Sequence, residues 1–146
     1  MDTRSILLVE DNPDDVVLTM RALQKNGLEN AVTVVRDGVE AWDYLLGTGT
    51  FVGRDTSQLP ALVLLDLKMP KVNGLEFLQR LGEHPELKQL RVVVLTSSQE
   101  AEDIIQSYQF GACSYIRKPV DFNEFVQTVG QLGTYWLVLN QQPSPN

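Results

Sequence analysis

The stretch "SILLVEDNPDDVVLTMRALQKNG", residues 5–27, joins an apolar run to an amphipathic segment through a group of carboxylates. The run Ile6–Val9 is short, apolar and bounded by polar residues, which is typical of a buried strand. Beyond the carboxylates, Val16, Met20 and Leu23 recur at the spacing of one helix face. This stretch therefore predicts a strand that is followed directly by a helix.

The same alternation continues along the rest of the chain. The first four runs have fairly continuous apolar character, which favours parallel strands covered on both faces, and the short fifth run is assigned from its position. Segments with helical periodicity separate the runs and follow the last one. We therefore predict an α/β fold, a doubly wound (βα)5 domain with a five-stranded parallel sheet and right-handed crossovers. The predicted strands are Ile6–Val9, Val32–Val35, Leu62–Leu65, Val92–Leu95 and Tyr115–Ile116.

The composition excludes several classes of protein. The 146 residues are 43% hydrophobic and 21% charged, which is ordinary for one globular domain. The net charge of −7 argues against binding to nucleic acid or to an anionic membrane, because phosphate contacts need clustered cations. No segment resembles a signal peptide or is long enough to span a membrane, and the single cysteine, Cys113, fits a reducing compartment. We therefore expect a cytoplasmic protein.

Two pairs of carboxylates follow the first strand, and they have different explanations. Asp14 and Asp15 fall in the first helical turn, where negative charge stabilises the helix dipole. Glu10 and Asp11 instead close a buried strand, and Asp66 closes the third strand in the same way. If these strands are neighbours, three carboxylates meet at one edge of the sheet, where they repel each other unless a cation lies between them. Oxygen ligands of this kind predict Mg²⁺, with Mn²⁺ as the other candidate.

The ends of the fourth and fifth strands add hydroxyls and a cation. Thr96, Ser97 and Ser98 follow the fourth apolar run, and their hydroxyls can donate to a phosphate oxygen. Lys118 comes near the end of the fifth strand, where its ammonium can pair with a carboxylate or a phosphoryl oxygen. Each of these residues alone is more often structural or solvated. Together with the carboxylates they form a constellation suited to phosphoryl transfer.

The motifs that contain these residues resemble the receiver domain of bacterial two-component response regulators. They are "LLVEDN", "LLDLKMPKVNG", "VVVLTSS" and "GACSYIRKP", and the resemblance covers about residues 5–129. It implies a flavodoxin-like fold with strand order 2-1-3-4-5. It also implies a protein that is not an enzyme in the usual sense, since Mg²⁺-dependent self-phosphorylation on an aspartate and autodephosphorylation are its only reactions.

The resemblance also implies which residues bind the metal and accept the phosphoryl group. Asp66 would accept the group from a phosphohistidine of a sensor histidine kinase. The metal ligands would be the carboxylates of Glu10, Asp11 and Asp66 and the backbone carbonyl of Lys68.

Three further residues would act on the phosphorylated state. By the same resemblance, Lys118 and Thr96 would stabilise the phosphoryl oxygens. Thr96 and Tyr115 would form the switch, in which the hydroxyl is drawn to the phosphoryl group and the aromatic ring fills the vacated space. The signal would leave through the face of helix 4, strand 5 and helix 5.

Three segments are similar to the small stand-alone regulators paired with cyanobacterial phytochromes. They are "EDNPDD", the long loop "GTGTFVGRDTSQLP" and the late "YWLVLNQQP". This similarity implies a light-sensing histidine kinase as the phosphoryl donor and a homodimer. We expect one receiver domain over residues 1–140, including an extended C-terminal helix, and a disordered tail over residues 141–146.

The last helix gives a separate reason to expect a homodimer. Its apolar stripe continues beyond residue 129 to Tyr135, Trp136 and Leu139, further than a helix covering a five-stranded sheet needs. Late aromatic residues suit a dimer interface, although the extra turns could instead fold back on their own domain. Gly130 and Gly133 allow either a kink or close packing in this helix.

Three alternative functions compete with the receiver interpretation. A haloacid-dehalogenase-type phosphatase also uses a strand-ending Asp and Mg²⁺, but Lys68 stands where its acid/base Asp would be. A dinucleotide-binding site is suggested by "GTGTFVG" from Gly47, yet its spacing is wrong by one residue and it follows a helix, so we interpret it as a flexible loop. A receiver-like scaffold that is never phosphorylated is the third alternative.

Overall fold

The computed structural model describes residues 5–27, 32–56, 59–67, 74–87, 90–96, 101–112, 114–117 and 122–133. Within them, five strands alternate with five α-helices, and two 3₁₀ turns, Gly49–Phe51 and Pro85–Leu87, follow the second and third helices. The strands are β1 Ile6–Val9, β2 Val32–Val35, β3 Leu62–Leu65, β4 Val92–Thr96 and β5 Ser114–Arg117. The helices are α1 Pro13–Lys25, α2 Gly38–Leu46, α3 Gly74–Gly82, α4 Ala101–Gln109 and α5 Phe122–Gly133.

The strands form one parallel sheet in the order β2-β1-β3-β4-β5, as predicted. β1 is the second strand, and its Ile6 pairs with Val32 of β2 on one side and with Leu62 of β3 on the other. The predicted bounds of the first three strands are confirmed, whereas β4 and β5 are slightly longer than predicted. Because β1 and β3 are neighbours, the condition on which the predicted metal site depended is met.

Alternate residues of the strands build a separate apolar core on each face of the sheet. Leu7 and Val9 of β1 belong to the core that includes Phe77 of α3. Ile6 and Leu8 belong to the opposite core, with residues of α1 and α5. Complete burial of one such aliphatic side chain stabilises the fold by about 1.5–3 kcal/mol. Coverage on both faces explains why β1 and β3 are apolar at every position rather than at every second one.

Helix α2 starts immediately beyond the carboxyl end of β2 because the sequence supplies a reciprocal cap. The Asp37 carboxylate accepts a hydrogen bond from the backbone N–H of Glu40 at 2.8 Å, and the Glu40 carboxylate accepts one from the backbone N–H of Arg36 at 2.9 Å. The helix ends at Gly47, which has a left-handed backbone (φ 69°) that a side chain would strain. The two hydrogen bonds at the start of α2 confine the chain between β2 and α2 to a short turn.

The segment after α2, which the sequence suggested was a flexible loop, is instead held against that helix. It forms the 3₁₀ turn Gly49–Phe51, and the ring of Phe51 packs edge-on against Tyr44 with centroids 5.1 Å apart. The guanidinium of Arg54 lies 4.0 Å from the centroid of the Tyr44 ring, and its Nε donates to the Tyr44 carbonyl at 2.6 Å. The flexible-loop interpretation of residues 47–53 did not anticipate this 3₁₀ turn or the contacts of Phe51 and Arg54 with Tyr44.

The described part of the last helix ends before the predicted dimer residues. Helix α5 spans Phe122–Gly133, so its predicted continuation and the predicted tail at 141–146 lie outside the described residues. Among the residues that are described, no helix combines the length and the apolar character needed to cross a bilayer.

Candidate metal and phosphoryl site

The sheet brings the two acidic strand ends together by continuing its backbone pairing one residue past each strand. The N–H of Asp66 donates to the carbonyl of Val9 at 3.0 Å, and the N–H of Glu10 donates to the carbonyl of Val35 at 3.0 Å. Glu10, Asp11 and Asp66 therefore lie at the carboxyl edge of adjacent strands. Ligand sites of doubly wound sheets are found at this edge.

The three predicted metal-binding carboxylates converge. One carboxylate oxygen from each of Glu10, Asp11 and Asp66 lies within 4.8 Å of the other two. Glu10 is 1% and Asp66 is 7% exposed, while Asp11 is exposed to solvent. Two buried carboxylates and a third beside them repel each other strongly unless a positive charge offsets them. A hard divalent cation bound through oxygen, with room on the Asp11 side for water or phosphate, fits this donor set.

Asn12 connects the acidic cluster to the start of α1, a link that the sequence analysis did not predict. Its backbone N–H donates to Oε2 of Glu10 at 3.3 Å. Its side-chain Oδ1 accepts from the N–H of Asp14 at 2.9 Å and from that of Asp15 at 3.3 Å. The residue therefore caps the helix and orients a buried carboxylate at once. The sequence signal that could have indicated this link was its position two residues after Glu10.

The remaining predicted site residues are described only in part. Thr96 is the last residue of β4 and pairs with Arg117, and Tyr115 lies in β5 opposite Val94. The side chains of Thr96 and Tyr115 are not among those described. The predicted roles of these residues therefore stay predictions. The same holds for the predicted residues that lie wholly outside the described ranges: Lys68, Ser97, Ser98, Lys118, Tyr135, Trp136 and Leu139.

Taken together, the sheet order and the acidic cluster define a parallel α/β domain with a cation site at the carboxyl edge of its sheet. Residues 6–130 match the family model of the response regulator receiver domain. The chain belongs to this family, which confirms the predicted flavodoxin-like fold and the role in two-component signalling.

Two curated relatives are similar over most of the chain. The probable methanogenesis regulatory protein FilR2 of Methanothrix harundinacea (strain 6Ac) is 41% identical over 96% of this chain and 88% of its own length. Response regulator Rcp1 of Synechocystis sp. (strain ATCC 27184 / PCC 6803 / Kazusa) is 34% identical over 90% of this chain and 88% of its own length.

Three solved structures share the fold. The phosphorylated cyanobacterial phytochrome response regulator RcpA has a TM-score of 0.85 at 37% identity, over 97% of this chain and 99% of its own. The Mn²⁺-bound form of Rcp1 has a TM-score of 0.84 at 32% identity, over 97% and 99%. The bacteriophytochrome response regulator AtBRR has a TM-score of 0.72 at 50% identity, over 94% and 98%. The chain is therefore related to regulators that are associated with phytochromes.

Proposed function

We propose that this protein accepts a phosphoryl group on Asp66 from a sensor histidine kinase, in a reaction that requires Mg²⁺. The observation that carries this proposal is the convergence of Glu10 and Asp11 on Asp66 at the end of β3. A carboxylate acceptor needs a neighbouring cation because an incoming phosphoryl group is itself anionic. The similarity to an Rcp1 structure with bound Mn²⁺ supports a divalent cation of this kind.

The proposed reaction is an in-line displacement at phosphorus. A carboxylate oxygen of Asp66 forms the new O–P bond while the N–P bond of the phosphohistidine breaks, and the imidazole nitrogen keeps the electron pair. Glu10 and Asp11, with the Lys68 carbonyl, would hold the cation that offsets the charge of the phosphoryl oxygens. The N–H of Asn12, which donates to Glu10, keeps one of these ligands in place.

Activation would follow from contacts to the phosphoryl group. Thr96 and Lys118 would bind its oxygens, and Tyr115 would occupy the space that the Thr96 hydroxyl leaves. This rearrangement would change the face formed by α4, β5 and α5 between two states.

The donor that we propose is a phytochrome-type histidine kinase. The similarity to RcpA and AtBRR supports this choice, because both are named as phytochrome regulators. Transfer from a purified, autophosphorylated phytochrome kinase should be at least about tenfold faster than transfer from an unrelated sensor kinase. Equal rates from both would contradict the phytochrome pairing and leave the receiver function intact.

We also propose a homodimer that depends on Tyr135, Trp136 and Leu139. Large apolar side chains that follow α5 in the sequence would need a partner surface to leave water. Sedimentation of the full chain should give a dimer, and Trp136→Ala should shift it toward monomer. Val52→Ala, at a side chain that is 77% exposed, is the matched control and should sediment as a dimer like the wild-type chain. An unchanged mass in Trp136→Ala would remove this assignment.

Intact mass after incubation with acetyl phosphate tests the central proposal. The wild-type chain should gain one phosphoryl group in the presence of Mg²⁺ and none after chelation. Asp66→Asn should abolish the gain, whereas Asp14→Asn, an exposed carboxylate at the start of α1, should retain it. Absence of any adduct in the wild-type chain would favour the scaffold alternative.

A further inference from the structure

Gly74, the first residue of α3, touches the backbone of the proposed phosphoacceptor. Its N–H donates to the carbonyl of Leu67 at 2.8 Å, which joins the two residues on either side of positions 68–73. A Cβ at this position would lie 2.5 Å from Cα of Leu67 and 2.6 Å from the carbonyl oxygen of Asp66. The start of α3 can therefore reach the Asp66–Leu67 peptide only because residue 74 has no side chain.

The two nearest atoms that a side chain would strike are backbone atoms, and they have little freedom to move. On the sheet side, the Asp66 peptide is held by the hydrogen bond from its N–H to the carbonyl of Val9 at 3.0 Å. On the helix side, the same peptide lies against Gly74. The backbone of Asp66 is thus in contact with β1 on one side and with α3 on the other. The direction of its carboxylate, which lies among those of Glu10 and Asp11, depends on both contacts.

We propose that Gly74 is a positioning residue for Asp66: the close approach of α3 at this glycine sets the carboxylate in the geometry that binds the cation and accepts the phosphoryl group. This inference rests on the proposed phosphoacceptor function. A methyl group at residue 74 pushes the Asp66–Leu67 peptide off α3 by several tenths of an ångström or more. Displacements on the order of 1 Å in a reacting group reduce rates by about a hundredfold.

The test compares Gly74→Ala with Gly82→Ala, a matched substitution in the same helix. An ideal Cβ at Gly82 meets nothing within 4 Å, so this variant adds the same methyl group without a clash. Mn²⁺ affinity of the unphosphorylated chain is measured from the electron paramagnetic resonance signal of free Mn²⁺. Gly74→Ala should weaken binding by at least about tenfold and slow phosphorylation by acetyl phosphate by about a hundredfold. Gly82→Ala should stay within about twofold of wild type in both measurements.

A loss of function in Gly74→Ala counts only if the variant is folded. Its far-ultraviolet circular dichroism should match wild type, and its thermal unfolding should stay cooperative. If it is folded and binds Mn²⁺ with wild-type affinity, the positioning role is wrong.

If Gly74→Ala does not fold, the wild-type chain decides the question. In an amide NMR titration with Mg²⁺, the Gly74 resonance should shift together with that of Asp66, and the Gly82 resonance should not. A Gly74 resonance that is unmoved at saturating Mg²⁺ overturns the proposal.

Failure of this inference is distinguishable from failure of the proposed function. A wild-type chain that never gains a phosphoryl group refutes the phosphoacceptor function, whatever Gly74 does. A wild-type chain that is phosphorylated while folded Gly74→Ala reacts equally fast refutes only the positioning role.

Discussion

The side-chain amide of Asn26 donates a hydrogen bond to the backbone carbonyl of Val126 at 3.1 Å, across 100 positions of the chain. The same Nδ2 donates to the carbonyl of Ala22 at 2.9 Å. Asn26 follows the last residue of α1, so its amide ties that end of the helix to the middle of α5. Gly130 lies beside it, and a Cβ there would collide with Oδ1 of Asn26. Gly130 therefore allows close packing of α5 against Asn26.

This contact predicts that the effect of Gly130→Ala on stability depends on Asn26. In the wild-type background the methyl group should displace the Asn26 amide and destabilise the fold by about 1–2 kcal/mol, since a part-buried donor loses its acceptors. In an Asn26→Ala background the clash is absent. There Gly130→Ala should be neutral or stabilising by up to about 1 kcal/mol, because alanine is the better helix former. Urea unfolding of the four chains in this double-mutant cycle measures the difference.

The control for this cycle is Gly82→Ala, which meets no neighbour and should behave alike in both backgrounds. Equal effects of Gly130→Ala with and without the Asn26 side chain would show that the two residues are not coupled.

Divalent cations should stabilise the fold through the acidic cluster. Because Glu10 and Asp66 are buried beside Asp11, the cation-free protein carries repulsion that Mg²⁺ relieves. At a Mg²⁺ concentration about 100 times its Kd, binding adds roughly 2.7 kcal/mol, which corresponds to a rise in Tm on the order of 5–10 °C. Calorimetry at constant ionic strength measures the increment. Asp11→Asn should remove most of this stabilisation by Mg²⁺, while Asp14→Asn should keep it. If the stabilisation survives in Asp11→Asn, the cation does not bind at this site.

Arg54→Lys should loosen the segment over residues 47–56. Lysine keeps the charge but cannot reproduce the Nε bond to the Tyr44 carbonyl together with the stacking on the Tyr44 ring. The expected loss is about 1–2 kcal/mol of local stability. Trypsin cleaves after either residue, so cleavage at position 54 should be roughly five to thirty times faster in the variant. The control is Arg80→Lys, at an exposed residue, and this variant should be cleaved after residue 54 at the wild-type rate. If cleavage after residue 54 is unchanged in Arg54→Lys, the segment is held by other contacts.

Glu86 should make a pH-dependent contribution to stability. Two hydrogen bonds lower the pKa of the Glu86 carboxyl below its ordinary value of 4.5. The larger effect comes from its own backbone amide, and the smaller from His84, whose Nδ1 lies 3.2 Å from Oε1 of Glu86. A lowered pKa in the folded state stabilises the protein above that value, and the gain is lost as the pH falls through the folded-state pKa. Glu86→Gln should therefore have a lower urea midpoint than wild type at pH 7. The two midpoints should converge as the pH falls through the folded-state pKa, and a gap that stays the same over this range would contradict the prediction.

The local features of this protein follow from the sequence. The bounds of β1, β2 and β3 were predicted to the residue because each strand is a short, mostly apolar run that is followed by a charged residue. The carboxylates of the site were recognised because Glu10, Asp11 and Asp66 directly follow such runs. Strand ends, helix caps and periodicity depend on neighbours within a few positions, so one sequence contains the information they need.

The tertiary structure alone decided which of these features meet. Strand β3 lies beside β1 although α1, β2 and α2 separate them in the chain, and the strand order had to be taken from a family resemblance. Likewise nothing near Asn26 in the sequence indicates Val126, and nothing near Gly74 shows that a methyl group there would strike the Asp66 peptide. Contacts of this kind arise from the close packing of distant segments, which depends on the whole fold at once.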